Sequence, residues 1–514
     1  MKINKIVYFL IAFIVVFAAA TLNFSIKSPN DGALYYSAAE FFLENKIIVD
    51  PTRTFDDTVR AFPTTQIAIV LYLILLKFIS QNYWLILYCI FFGFIWANLF
   101  NKLLYFSKKN FSRNNNLYIF LPLIIFFNYD YINSASSFYN ELFYYPFLIY
   151  SFLKIHNSIE KNKSIFNKSF LLCTFLILGV AFRIQHMVLL GSLAIYFIYI
   201  KEFKNFFKVS IFIFASIAII FILQKILSIA DTTNIVNYVD GNPVLAGMDA
   251  NWLDKFLQIL INQISQLNID LFLKNLKVQL ALFTHFINIP KIIDYNLPNN
   301  FTNYQEIIYG LTALMVISSI ILSFKNKRFH SFKIILIIYL FLTSTFLFLL
   351  SDHSSRYFLL VNFCILFFLF DYLDTFKFKI NLKWFSVLSL AYLFVILYYG
   401  YNFYKNKGAQ SKNTYNLNSI LRDFNDHKLE TYSSNSIFIT RYRYNVYWVT
   451  KKPAYLVWEF FDLNFEISKD KNIKFYYIGD KRDLENYLDK IKKIEDFSFS
   501  NSKSQYFSIW RLYF

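Results

Sequence analysis

Charge is scarce in this chain, and sulfur scarcer still. Of 514 residues 16% are charged, against 57% hydrophobic and 21% aromatic. The apolar residues fall in repeated runs separated by short basic loops, which excludes an ordinary soluble domain and reads as a polytopic membrane protein. The three cysteines, Cys89, Cys173 and Cys364, all lie in apolar segments. No spacing among them suits a metal site and none sits in an exposed loop, so neither a disulfide framework nor a thiolate centre is expected. A net charge of +18 is spread through the loops. It forms no compact basic face and no nucleic-acid motif, so no nucleic-acid partner is expected. Lys2 and Lys5 precede an apolar core that lacks a small-residue cleavage site, which points to an uncleaved first helix. There is no internal repeat at solenoid spacing, and no low-complexity linker beyond Asn406 to Asn418.

What is present is an alternation of loop charge. Lys and Arg in short loops mark the cytoplasmic side. Five basic loops, Lys108 to Arg113, Lys154 to Lys168, Lys201 to Lys208, Lys325 to Lys333 and Lys377 to Lys383, alternate with turns nearly free of basic residues. That parity settles two segments. Gln66 to Ile79 would be about 21 Å long as a helix, short of a hydrocarbon core of about 30 Å. Counting it as a span would invert every later loop, so it reads as an interfacial or re-entrant segment. The long run Ser169 to Ile200, broken by Arg183 and His186, divides into two passes. The expected spans are residues 6–22, 83–105, 117–133, 142–153, 169–182, 187–200, 209–229, 307–324, 334–350, 357–370 and 384–401. The fold expected is thus a polytopic α-helical membrane protein of about 11 transmembrane helices with its N-terminus inside. Residues 1–401 form the membrane domain, with a first outer loop at 23–82 and another outer loop at 230–305.

Residues 402–514 read as a small α/β domain outside the membrane. Ser436 to Val449, Asn472 to Ile478 and Tyr506 to Tyr513 are rich in β-branched and aromatic residues and read as strands. Leu484, Leu488, Ile491 and Ile494 follow helical spacing. No catalytic motif appears within this tail.

The topology gathers the unusual ionisable residues on one side. Asp31, Glu141, Arg183, His186, His353 and Arg356 all fall on the outer face. Charged groups within apolar segments cost about 2.5–3.5 kcal/mol each on insertion scales, so they are commonly paired or functional. Each also has a plain structural reading. Asp31 fits the N-cap of a helix from Ala33 to Glu44, and Glu141 fits a helix cap. Arg183 and Arg356 fit snorkelling to headgroups, while His186 and His353 fit polar turns. Their joint placement suits an anionic site, in which a carboxylate activates a hydroxyl and guanidiniums hold a leaving phosphate.

The residues from Asp31 to Glu40 after the first helix, Asn140 and Glu141 before the fourth, the hairpin Arg183, and Ser355, Arg356 and Tyr357 opening a late helix together resemble the GT-C superfamily of membrane glycosyltransferases. The nearest likeness is to the protein O-mannosyltransferase and lipid A aminoarabinose transferase group, and an outer α/β tail is part of that group's plan. The resemblance spans nearly the whole chain in architecture, through short, degenerate motifs whose order and sidedness carry it. It implies a polyprenyl-phosphate-linked sugar as donor and a glycan, lipid or protein acceptor. Asp31 would then be the base and Glu141 its assistant or the acceptor's guide. Arg183 and Arg356 would hold the donor phosphate with Tyr357 beside them, and His186 and His353 would border the substrate site. Asn30, Asp31 and Gly32 supply one acid where relatives often carry a pair, which puts the implied divalent cation in doubt. Lys46, Arg53 and Arg60 in the first loop are either further phosphate contacts or solvated cations.

The function expected is sugar transfer at the outer face of a bacterial inner membrane. The rivals are a lipid-linked oligosaccharide polymerase or ligase, a transporter or flippase, and a non-catalytic assembly subunit. An inverted repeat, the mark of many transporters, is not evident.

Overall fold

The computed structural model describes residues 5–26, 31–46, 48, 51, 67–111, 117–126, 128–136, 138–160, 173–174, 176–179, 183, 185–227, 303–325, 327–349, 355–375, 436–440, 443–450, 452, 454–457, 459–463, 465–466, 473–496 and 508–514. Helices dominate. They are α1 (Lys5–Ile26), α2 (Asp31–Asn45), α3 (Ile67–Ile79), α4 (Trp84–Asn110), α5 (Phe120–Phe126), α6 (Tyr129–Ser136), α7 (Glu141–Glu160), α8 (His186–Tyr199), α9 (Phe203–Leu227), α10 (Asn303–Lys325), α11 (His330–Leu349) and α12 (Ser355–Thr375). Among the described residues one helix, Trp84–Asn110, is long and apolar enough to cross a membrane. Shorter apolar helices include Lys5–Thr21, Ile67–Ile79 and His186–Tyr199. The structure thus supplies a mostly helical chain with one candidate span and a small C-terminal sheet, where the sequence reading expects eleven spans. The expected span 384–401 and the outer loop 230–305 lie outside the described residues.

Close packing of these helices rests on small and aromatic residues. α1 runs along α4, and a Cβ at Gly93 would come within 2.8 Å of the Phe9 ring and 3.2 Å of the Phe9 carbonyl. Glycine there lets the two backbones approach. The largest fully buried side chains include Trp96, Tyr88, Tyr131, Tyr144, Tyr145 and Tyr339. A buried tyrosine needs a partner for its hydroxyl. Tyr131 donates to the Leu142 carbonyl at 2.7 Å. That carbonyl is the one Pro146, inside α7, cannot serve for want of an N–H. The side chain thereby repairs a gap in the helix ladder.

Several sequence expectations shift. The segment expected as one span at 117–133 is two helices. Asn128 divides them, its side chain accepting from the Tyr131 N–H at 3.1 Å to cap α6. α2 is described from Asp31, two residues before the expected start at Ala33.

The tail contains a five-stranded sheet of order β2-β1-β3-β5-β4, from β1 (Ser436–Thr440), β2 (Ala454–Tyr455), β3 (Lys474–Gly479), β4 (Lys493–Asp496) and β5 (Ser508–Tyr513). β1 pairs in parallel with β2 and β3, while β5 is antiparallel to both β3 and β4. Its core gathers Ile439, Phe460, Phe461, Phe475, Tyr477, Leu484 and Leu512. The strand expected over Ser436 to Val449 stops at Thr440, and Arg443–Thr450 is a helix, α13. Arg443, Val446 and Tyr447 are its buried positions, a helical spacing that β-branched composition concealed. α13 packs against α2 of the first loop, so tertiary contact decides its conformation. The helix expected through Ile494 also ends early. A 3-10 helix covers Lys481–Lys490, capped by Asp480, whose side chain accepts from the Arg482 N–H at 3.0 Å, and Ile494 belongs to β4.

Candidate functional site

Glu141 is set in place by the turn before it. At the end of α6, Phe138 N–H donates to the Ala135 carbonyl at 3.3 Å and Tyr139 N–H to the Ser134 carbonyl at 2.9 Å, the bond pair of a Schellman motif. The left-handed residue is Phe138, with φ 58°, where glycine is usual. A side chain there costs about 1–2 kcal/mol. Its ring offsets that by packing on Trp84 and Tyr88, at centroid distances of 5.7 and 4.9 Å. Tyr88 also donates to the Ala135 carbonyl at 2.6 Å. The chain then enters α7, with the Asn140 carbonyl accepting from the Phe143 and Tyr144 N–H groups.

Glu141 meets Arg183. The guanidinium donates to Glu141 Oε1, and the side chains are 2% and 6% exposed. Arg183 lies in the turn before α8, where its N–H donates to the Gly179 carbonyl at 3.1 Å and its own carbonyl accepts from the His186 N–H at 3.0 Å. His186 opens α8 fully buried, its ring 5.8 Å from those of Tyr144 and Phe147 and edge-on to them. A Cβ at Gly179 would come within 2.4 Å of the imidazole, so only glycine leaves that ring its room. Beside the pair, the Asn140 side chain is fully buried, and neither its Oδ1 nor its Nδ2 has a hydrogen-bond partner among the described residues. An amide so placed can donate to and accept from a bound polar molecule.

Glu141, Arg183 and His186 are therefore brought together. Asp31 opens α2, and Arg356 and Tyr357 lie in the first turn of α12; these three are described in their backbone alone. His353, Arg53 and Arg60 lie outside the described residues. Lys46 is committed locally, its ammonium donating to the Leu43 carbonyl at 2.8 Å just beyond α2.

Glu141, Arg183, His186 and the starts of α2 and α12 share one end of the helical assembly. α7 and α12 start at the same level, with Asn362 donating to the Tyr145 hydroxyl at 3.3 Å. Their far ends meet a different set of charges. Lys333 and Asp371, both fully buried, pair at 2.6 Å, and Arg328 pairs with Asp374 at 3.0 Å. Ser323 donates to Asp371 at 2.7 Å, and Arg328 also donates to the Asn110 carbonyl closing α4. This clasp was missed in the sequence, although Asp371 and Asp374 stand three apart in an apolar helix, and so on one face. A second missed pair joins α2 to α3. Lys77 bonds Glu40 at 2.8 Å and lies 4.0 Å from the Tyr36 ring centroid.

Among the described residues no group of three His, Cys, Asp or Glu is placed to hold a metal ion. The donor set at the implied cation site is one carboxylate, Asp31, between Asn30 and Gly32. That is thin for a divalent ion that seeks several oxygen ligands. No protein-family model matches the chain, and no curated protein matches it.

Proposed function

We propose that the chain is a polytopic membrane glycosyltransferase of GT-C type. It would move a sugar from a polyprenyl-phosphate donor to an acceptor at the outer face of a bacterial plasma membrane. The observation that carries this reading is the buried Glu141–Arg183 pair at the end of the helices from which α2 and α12 also start. Apolar outward faces support the membrane setting. Ile6, Leu10 and Ile14 on α1, and Phe207, Ile211 and Phe214 on α9, are spaced at one helical turn and exposed. Such faces require a nonaqueous partner. The charge layout supports the sidedness, since Lys109, Lys154 and Arg328 all stand at the end opposite Glu141. On this reading the chain crosses eleven times and its C-terminal sheet lies outside.

In the reaction, the acceptor hydroxyl loses its proton to Asp31 as its oxygen bonds to the anomeric carbon. The bond from that carbon to the phosphate oxygen breaks, and polyprenyl phosphate departs with the electron pair. Arg183 and Arg356 hold the departing phosphate, with Tyr357 and the histidines at its border. Glu141 orients Arg183 rather than acting alone, and Asn140 offers the sugar a hydrogen-bonding amide. Transport is the weaker alternative, because the buried charges gather at the two ends of the helices rather than midway along them.

Reconstituted vesicles supplied with radiolabelled polyprenyl-phosphate sugars test this. The full chain should transfer label and Asp31→Asn should abolish transfer while remaining monodisperse. Transfer at the wild-type rate by Asp31→Asn would remove the base assignment.

A further inference from the structure

At the opposite end from Glu141, the start of α1 and the last turns of α4 and α7 line an open pocket of about 310 Å³. Along α7, the step from Glu141 to Lys154 is about 20 Å at 1.5 Å per residue. The cavity and the transfer site are therefore separate. Lys5, Lys102 and Lys154, from three different helices, line it. None of the three is ion-paired among the described residues, whereas Lys109 at the same cavity is held by Glu160 at 2.6 Å. The Lys102 ammonium lies 4.3 Å from the Tyr150 ring centroid. That cation–π contact holds the ammonium at the pocket wall.

Three cations gathered at one pocket repel one another, and the Lys154 charge is felt at Lys102. An anion among them turns repulsion into attraction. Lysine binds phosphate well as a point charge. Asn98 and Asn101 also line the cavity, and each donates its amide N–H to its own helix, at 3.0 and 2.6 Å. Their amide oxygens then serve as acceptors for hydroxyl groups. We propose that this cavity binds a phosphate ester that carries hydroxyls, the chemistry of glycerol phosphate. Its source is either the headgroup of an anionic lipid or a soluble ester. In the proposed topology this end is cytoplasmic, where anionic headgroups attract basic segments.

The test uses the full chain in two arms. In the first, nanodiscs of phosphatidylcholine with phosphatidylglycerol are compared with phosphatidylcholine alone, and lipid retained on the protein is counted by native mass spectrometry. In the second, sn-glycerol 3-phosphate binding is measured by calorimetry in neutral detergent. Wild type should retain phosphatidylglycerol, bind the soluble ester, or both, and the arm that responds identifies the source. The double substitution Lys102→Gln/Lys154→Gln should weaken the responding ligand by about thirtyfold, and Lys102→Arg should preserve it. Equal binding by wild type and the double variant overturns the proposal. So does the absence of both ligands from wild type, a result independent of whether the variant folds.

Discussion

A buried ion pair inside an apolar chain serves two masters, stability and chemistry, and Glu141 with Arg183 can be used to separate them. Removing one member of such a pair leaves an uncompensated charge and costs about 3–5 kcal/mol, while removing both together is far milder. Glu141→Gln and Arg183→Gln should therefore each lower the thermal midpoint in detergent markedly, and the double variant should recover most of it. Transfer activity should stay lost in the double variant, because Arg183 no longer reaches the donor phosphate. Recovery of both properties together would make the pair a structural staple alone. The residues themselves were legible, since an acid and an arginine beside apolar runs stand out against their surroundings. Their partnership was not, because they are 42 positions apart and nothing in local spacing joins them. The pairing of Lys77 with Glu40 escaped notice for the same reason, the two being 37 positions apart and meeting only when α3 folds back on α2.

At the scale of elements, the helix periods were readable, and the terminations less so. Apolar run length marks α4, α8 and α11 within a few residues, since a helix that buries several faces needs no finer pattern. Breaks depend on single polar side chains. Asn128 splits an apolar run by capping α6, and Phe138 ends α6 in a conformation that its residue type disfavours. Burial of Arg443, Val446 and Tyr447 against neighbours turns an apparent strand into α13. A tight point among the helices is Gly179 against His186. Gly179→Ala would drive a methyl into the buried His186 ring, the overpacking that costs about 1–3 kcal/mol. The expected outcome is a lowered thermal midpoint, with restoration when His186→Ala is added to make room. An unchanged midpoint in Gly179→Ala would show that the imidazole can move aside.

Across the whole molecule, charge is sorted to the two ends of the helices. One end holds Glu141, Arg183 and the starts of α2 and α12. The other holds the Lys333–Asp371 clasp, Arg328 and the three lysines that have no ion-pair partner among the described residues. The proposed membrane setting would account for that sorting, because charges leave hydrocarbon for either surface and basic residues collect on the cytoplasmic one. The eleven crossings proposed would place the loop after α10 inside and the C-terminal sheet outside, whereas an even count would put the C-terminal sheet on the cytoplasmic side with the N-terminus. Lys327 and Glu485 are both exposed, one in that loop and the other in the tail. Single cysteines at these positions, made after Cys173→Ser and with buried Cys89 and Cys364 left in place, report the parity directly. In intact spheroplasts a membrane-impermeant maleimide should label Glu485→Cys at once and Lys327→Cys only after permeabilisation. Labelling of both, or of neither, before permeabilisation would put the two positions on one side and end the eleven-span topology. With it would go the reason for placing Asp31, Arg183 and Arg356 on the face where the proposed transfer would consume a lipid-linked sugar.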